Sequence, residues 1–258
     1  MPHPPIVIGY STEGRVIEVW PNGPDGHGGT LIIGGFHGDE PATIELVRDF
    51  VPPPGARVAL LPLLNPDGAL RYTRYNARGV DLNRNFSTNW RKESVEPPGD
   101  GPWSEVESRA LRDFIRSWRP AKIVSTHWAL GEIDADGEQS TPLAEAIWAA
   151  LDEPERIAYR LRVTELGRGL RRLEQTYVEC PGSLGQWAGY GLDYHDGSRP
   201  AIITLELPHD PKAPRTEPLP ADHWATVQKR WREDATGYLL ETRGTVEKMF
   251  LAAATFNG

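Results

Sequence analysis

One cysteine in 258 residues, Cys180, leaves no internal disulfide to staple the fold and fits a reducing compartment. Nothing beside it in Glu179-Cys-Pro-Gly182 supplies the base that a catalytic thiol would need. No apolar run approaches the roughly 18 residues that cross a bilayer. Met1-Pro-His-Pro-Pro-Ile-Val-Ile-Gly-Tyr10 also lacks the basic segment and long apolar stretch of a secretory leader. The expectation is a cytoplasmic protein with no membrane partner. Basic residues are in deficit, 28 against 36 acidic for a net charge of -8, which argues against a nucleic-acid groove built on bulk positive charge. Internal repeats are absent. What remains is an acidic chain long enough for a sizeable core, expected to form a single domain over residues 1–258.

The sequence does have a recurrent arrangement. Four apolar runs each end in a polar residue suited to chemistry: Leu31 to Phe36 before His37, Val58 to Leu64 before Asn65, Ile123 to Thr126 before His127, and Ala201 to Leu205 before Glu206. Open α/β sheets bind ligands at the carboxyl ends of their strands, so four such ends converge on one crevice. In His37-Gly-Asp-Glu40 a His and a Glu three apart sit where a buried strand gives way to a helix, and both can point at one spot. Two His and one Glu make a catalytic zinc set that leaves a position open for water.

Arg15 to Trp20 reads as an opening strand that forms a hairpin with the Leu31 run across the Gly/Pro-rich segment Pro21 to Gly29. A helix follows Glu40, with Pro41 near its start and Val51-Pro-Pro-Pro-Gly55 as its stop. Ser104-Glu-Val-Glu107 reads as a capping box before a helix whose apolar face is Val106, Ala110, Leu111, Phe114, Ile115 and Trp118. Further helices are expected over Leu143 to Leu151, Asp152 to Gln175 and Asp222 to Leu240, with Ser87 to Pro102 and Pro208 to Pro214 as surface connections.

Asn65-Pro-Asp-Gly68, Arg74 and Arg78-Gly-Val-Asp-Leu-Asn-Arg-Asn-Phe86, together with Gly9 to Arg15, Pro181-Gly-Ser183 and Leu205-Glu-Leu207, resemble the zinc carboxypeptidase family over residues 9–208. Pro181-Gly-Ser-Leu-Gly-Gln-Trp187 and the spacing of the first two motifs are similar to the bacterial murein peptide amidase branch. The resemblance implies a mixed, twisted α/β sheet flanked by helices, and one zinc ion per chain held by His37, Glu40 and His127. It makes Glu206 the general base, a role for which a partly desolvated carboxyl beside a metal is suited. Arg74 becomes the oxyanion donor, and Asn83 and Arg84 hold the free carboxylate of the residue released. Tyr177 would cover the substrate. Asp81 reads as support for the Arg84 loop. Trp128 stands where the branch usually has Asp, which alters the cleft wall and leaves the second support of His127 open.

The implied substrate is a small murein-derived peptide, cleaved at the γ-D-glutamyl to diaminopimelate bond. Acids in Gly131-Glu-Ile-Asp-Ala-Asp136 are candidates to meet the distal amine of diaminopimelate. The rivals are a general zinc carboxypeptidase, an N-acyl amino acid deacylase similar to succinylglutamate desuccinylase and aspartoacylase, and a binding module on an inactive hydrolase fold.

Overall fold

The computed structural model describes residues 4–164, 170–173, 176–209 and 223–257, without the side chains of 162–164, 170–173, 176–179 and 223–236. The strands are β1 (Ile6–Tyr10), β2 (Val16–Asn22), β3 (Thr30–Ile33), β4 (Val58–Leu61), β5 (Lys122–Trp128), β6 (Glu132–Asp136), β7 (Arg160–Thr164), β8 (Leu170–Leu173), β9 (Thr176–Glu179) and β10 (Ala201–Leu207). Eight of them form one mixed sheet in the order β1-β2-β4-β3-β5-β10-β6-β7, while β8 and β9 pair antiparallel as a separate hairpin. β4, β3, β5 and β10 run parallel at the centre. Their residues read as nearly unbroken buried runs because both faces of the sheet are covered.

The helices are α1 (Pro41–Asp49), α2 (Pro66–Arg71), α3 (Val106–Trp118), α4 (Thr141–Ala149), α5 (Glu153–Arg156), α6 (Leu184–Gln186) and α7 (His223–Thr255). One face of the sheet packs Ile32, Val124, Ile203 and Leu205 against α1, α4 and the C-terminal half of α7. The other face packs Leu31, Ile33, Ile123 and Ile202 against α3 and the segment from Leu184 to Tyr194. Each of these aliphatic side chains contributes about 1.5–3 kcal/mol by leaving water. On this second face the character changes along the strand: Ile123, Ser125 and His127 share one side of β5, as Ile202, Thr204 and Glu206 share one side of β10. Apolar core thus turns into polar site within two strand repeats.

Several expectations are corrected. β2 pairs with β1 and β4 rather than β3, because the link from Asn22 to Thr30 is long enough to step over one strand position, roughly 10 Å away. The capping box is absent: α3 begins at Val106, and Ser104 Oγ instead donates to Glu105 Oε1 at 2.7 Å. Among the described residues of 152–175, the short α5 precedes β7 and β8, since edge pairing with β6 captures Arg160 to Thr164. Residues 165–169, 174 and 175 of that expected helix, and the connection from Asp210 to Pro214, lie outside the described residues. α7 continues past Leu240 to Thr255, with Val246, Met249, Phe250 and Ala253 buried in the core.

Candidate active site

β3 leads to β4 on one side and β5 leads toward β10 on the other, so the order of the parallel strands reverses between β3 and β5. This is the position at which open α/β sheets form a crevice at their strand ends. His37 follows β3 and His127 is the second-to-last residue of β5. Gly35, at φ +57, turns the chain out of β3, and Gly38 lets it pass the second loop, since a Cβ there would fall 1.9 Å from the carbonyl carbon of Gly68. Pro41 then starts α1 and fixes Glu40 as the residue before its first turn.

His37, Glu40 and His127 form a buried group whose ligand atoms lie within 4.8 Å of one another. The two Nδ1 atoms are 3.4 Å apart, and His127 Nδ1 is 3.5 Å from Glu40 Oε2. Tetrahedral ligation at 2.0–2.1 Å separates ligand atoms by about 3.3–3.4 Å, so these two spacings fit zinc with Oε2 as the carboxylate ligand, while Glu40 Oε1 is hydrogen-bonded to His37 Nδ1 at 2.7 Å. Glu40 Oε2 is buried without a hydrogen-bond partner, a state that a metal bond would relieve. The charge pattern also calls for a cation. Burial and Arg74 disfavour a proton on His37, yet Glu40 and Asp81 outweigh them and raise its pKa to about 9. Burial pushes Glu40 up, but His37 and His127 hold it down at about 2.

Asp81 is fully buried beneath the cluster and does more than support a loop. Its Oδ1 lies 3.2 Å from His37 Nε2 and accepts the Asn83 N–H at 2.8 Å, while its Oδ2 accepts from Arg74 Nε at 2.9 Å and is ion-paired with Nη2 at 2.8 Å. Burial works against that charge, and Arg74 and His37 overcome it, keeping the carboxyl well below its usual range. With Nε and Nη2 engaged, Arg74 turns Nη1 to the centre, 3.3 Å from His37 Nδ1. Asn65 sets this loop: its Oδ1 caps α2 at Gly68 N, 2.9 Å away, and its Nδ2 donates to Arg74 O at 3.4 Å.

Asn83 Oδ1 accepts the Leu184 N–H at 2.9 Å, which leaves its Nδ2 facing the cleft 3.5 Å from His127 Nε2. Arg84 follows it in a short 3-10 helix (Leu82–Arg84) and donates through Nη1 to Asn83 O. Glu206 is opposite His127 in the parallel ladder and opposite Glu132 in the antiparallel one, so all three side chains share a face. Asp134 and Asp136 continue that face along β6, both buried, and Thr204 Oγ1 donates to Asp136 Oδ2 at 2.7 Å. Tyr177 belongs to β9, and its side chain lies outside what is described. Trp128 does not alter the cleft wall. It points through the sheet to the opposite core, where its ring meets Tyr238 at 5.7 Å and its Nε1 donates to Pro208 O. Ser125, which the sequence reading passed over, lies 3.0 Å from His127 Nε2, and its signal was present as Ser-x-His on one strand face.

Comparison with known proteins follows the same lines. A profile described as zinc carboxypeptidase matches residues 55–130, which include Asn65, Arg74, Asp81 to Arg84 and His127. Murein peptide amidase A of Escherichia coli strain K12 is 32% identical over 196 residues, covering 69% of this chain and 70% of that protein. Murein peptide amidase A of Vibrio campbellii is 29% identical over 224 residues, covering 79% of each. Among solved structures, murein-tripeptide amidase from Escherichia coli O157 superposes with a TM-score of 0.61 at 27% identity, covering 96% of this chain and 93% of that one. With the expected fold and a fitting metal group in place, these relationships settle the class: the chain belongs to the zinc carboxypeptidase family and is a zinc-dependent peptidase or amidase.

Proposed function

We propose that this enzyme acts on murein-derived peptides and hydrolyses the amide between γ-D-glutamate and diaminopimelate, with His37, Glu40 and His127 holding the zinc. The observation that carries the reading is the ladder register that sets Glu206 directly beside His127 at the polar end of one sheet face. Bound there, zinc supplies Lewis acidity toward the scissile carbonyl and the attacking water. Glu206 takes the proton from that water and returns it to the leaving amine. Arg74 Nη1 meets the negative charge that develops on the carbonyl oxygen, a duty for which its Asp81-anchored fork is pre-set. Asn83 Nδ2 and the Arg84 guanidinium hold the carboxylate of the residue released.

The choice of diaminopimelate rests on charge. Its far amine needs an anion inside the cleft, and the row Glu132, Asp134 and Asp136 lies on the face that carries Glu206. Names of relatives on both sides of the comparison, murein peptide amidase and murein-tripeptide amidase, support the same class. The test is to incubate the zinc-loaded protein with murein tripeptide, L-amino-acid dipeptides and N-acyl amino acids and to identify products by mass. Release of diaminopimelate at a kcat/KM at least about tenfold above that for the same peptide ending in a residue without the distal amine supports the reading. Equal rates would leave a general zinc carboxypeptidase, and preference for N-acyl amino acids a deacylase.

A further inference from the structure

We propose that Ser125 is the positioning residue for the His127 ligand: its hydroxyl accepts the Nε2–H of the imidazole and so holds Nδ1 turned to the metal. The inference rests on the zinc assignment above. A neutral imidazole carries one N–H and one lone pair, and the metal takes the lone pair. His127 Nδ1 is the atom that faces the cluster, 3.4 Å from His37 Nδ1 and 3.5 Å from Glu40 Oε2. Nε2 must then carry the hydrogen and needs an acceptor, because the residue is 2% exposed.

Among the described residues, two polar atoms approach Nε2, namely Ser125 Oγ at 3.0 Å and Asn83 Nδ2 at 3.5 Å. Asn83 cannot serve. Its Oδ1 is committed to the Leu184 N–H, which fixes the amide with its NH2 group, a donor, toward His127. The serine hydroxyl can accept, is 1% exposed, and sits two residues back on the same side of β5, directly under the ring. Phe36 and His37 bracket the ring at centroid distances of 5.3 and 4.9 Å, so its tilt is limited by packing and its end-to-end orientation is left to the hydrogen bond. The two ligands are therefore backed unequally, His37 by the Asp81 carboxylate and His127 by a neutral hydroxyl. A further consequence is that the Asn83 NH2, with no acceptor on His127, stays available to the carboxylate of the substrate.

Zinc dissociation constants measured by competition with a chromophoric chelator, for wild type, Ser125→Ala and Ser125→Thr, test the proposal, with thermal unfolding of each zinc-free protein alongside. Ser125→Ala is expected to bind zinc roughly 10- to 100-fold more weakly, the usual loss when an outer-shell partner is removed. Its zinc-free unfolding temperature should stay near wild type, and Ser125→Thr, which keeps the hydroxyl and suits a strand, should return affinity to within about threefold. Wild type that binds no zinc would defeat the metal assignment itself. Wild-type binding with Ser125→Ala within about twofold of it, or a loss that Ser125→Thr fails to restore although it folds, would overturn the role of Ser125 alone.

Discussion

Replacing Asp81 by Asn keeps the shape of the side chain and removes the charge on which the catalytic centre is assembled. The carboxylate meets three residues, His37 and Asn83 on Oδ1 and Arg74 on Oδ2, the last through a hydrogen bond from Nε and an ion pair with Nη2. An amide offers one acceptor atom and turns a donor toward the other side. In its better orientation it keeps His37 and Asn83 and faces Arg74 with an NH2 group, losing one charge-assisted bond and the ion pair beside it. Such a bond is worth about 1.5–3 kcal/mol, and because Arg74 is 21% exposed water recovers part of the ion pair, leaving a deficit of about 2–3 kcal/mol. That deficit falls on Arg74, which the proposed reaction aims at the developing oxyanion, so kcat should drop roughly a hundredfold, the scale of losing one such donor. Zinc affinity should fall roughly tenfold through the weakened His37 contact. The assay is steady-state turnover of murein tripeptide at saturating zinc, with a parallel chelator competition. A kcat within about threefold of wild type would refute the view that Asp81 anchors Arg74.

Three further outcomes are expected. Glu206→Gln should keep zinc and substrate affinity and lose roughly a hundredfold or more in kcat, measurable by isothermal titration beside steady-state kinetics; near-wild-type turnover would require another base. Arg84→Ala should raise KM strongly with a smaller effect on kcat if, as proposed, Arg84 holds the product-side carboxylate in ground and transition states alike; unchanged KM would remove Arg84 from substrate binding. Asp136→Asn should reduce the preference for a peptide ending in diaminopimelate over one lacking the distal amine by roughly tenfold, and an unchanged preference would transfer that task to Asp134 or Glu132.

Much of the site was legible because its signals are local. Strand ends, a His and a Glu at the start of α1, and the Asn65 turn are written in consecutive residues, and parallel topology gathers those ends at one crevice. The two outer shells were less legible, and for different reasons. Asp81 reads as loop support from its neighbours because its contacts to His37 and Arg74 span 44 and 7 positions and depend on the depth of one loop beneath another. Ser125 was in plain view two residues from His127, and only a strand assignment with sides resolved its role. Trp128 misleads for the same reason: adjacency in sequence suggests the cleft, while alternation along β5 sends it to the opposite core. In the fold, the β2–β3 hairpin failed because turn chemistry marks where a chain bends and not which strand it meets next. The 152–175 segment failed because edge pairing with β6 overrode local propensity.

Elemental analysis of the purified protein tests the central claim most directly. Wild type should carry one zinc per chain, and His37→Ala and His127→Ala should each lose most of it together with hydrolysis of murein tripeptide. Zinc retained at full occupancy in either variant, or hydrolysis that continues in the metal-stripped wild type, would contradict a catalytic centre built on His37, Glu40 and His127.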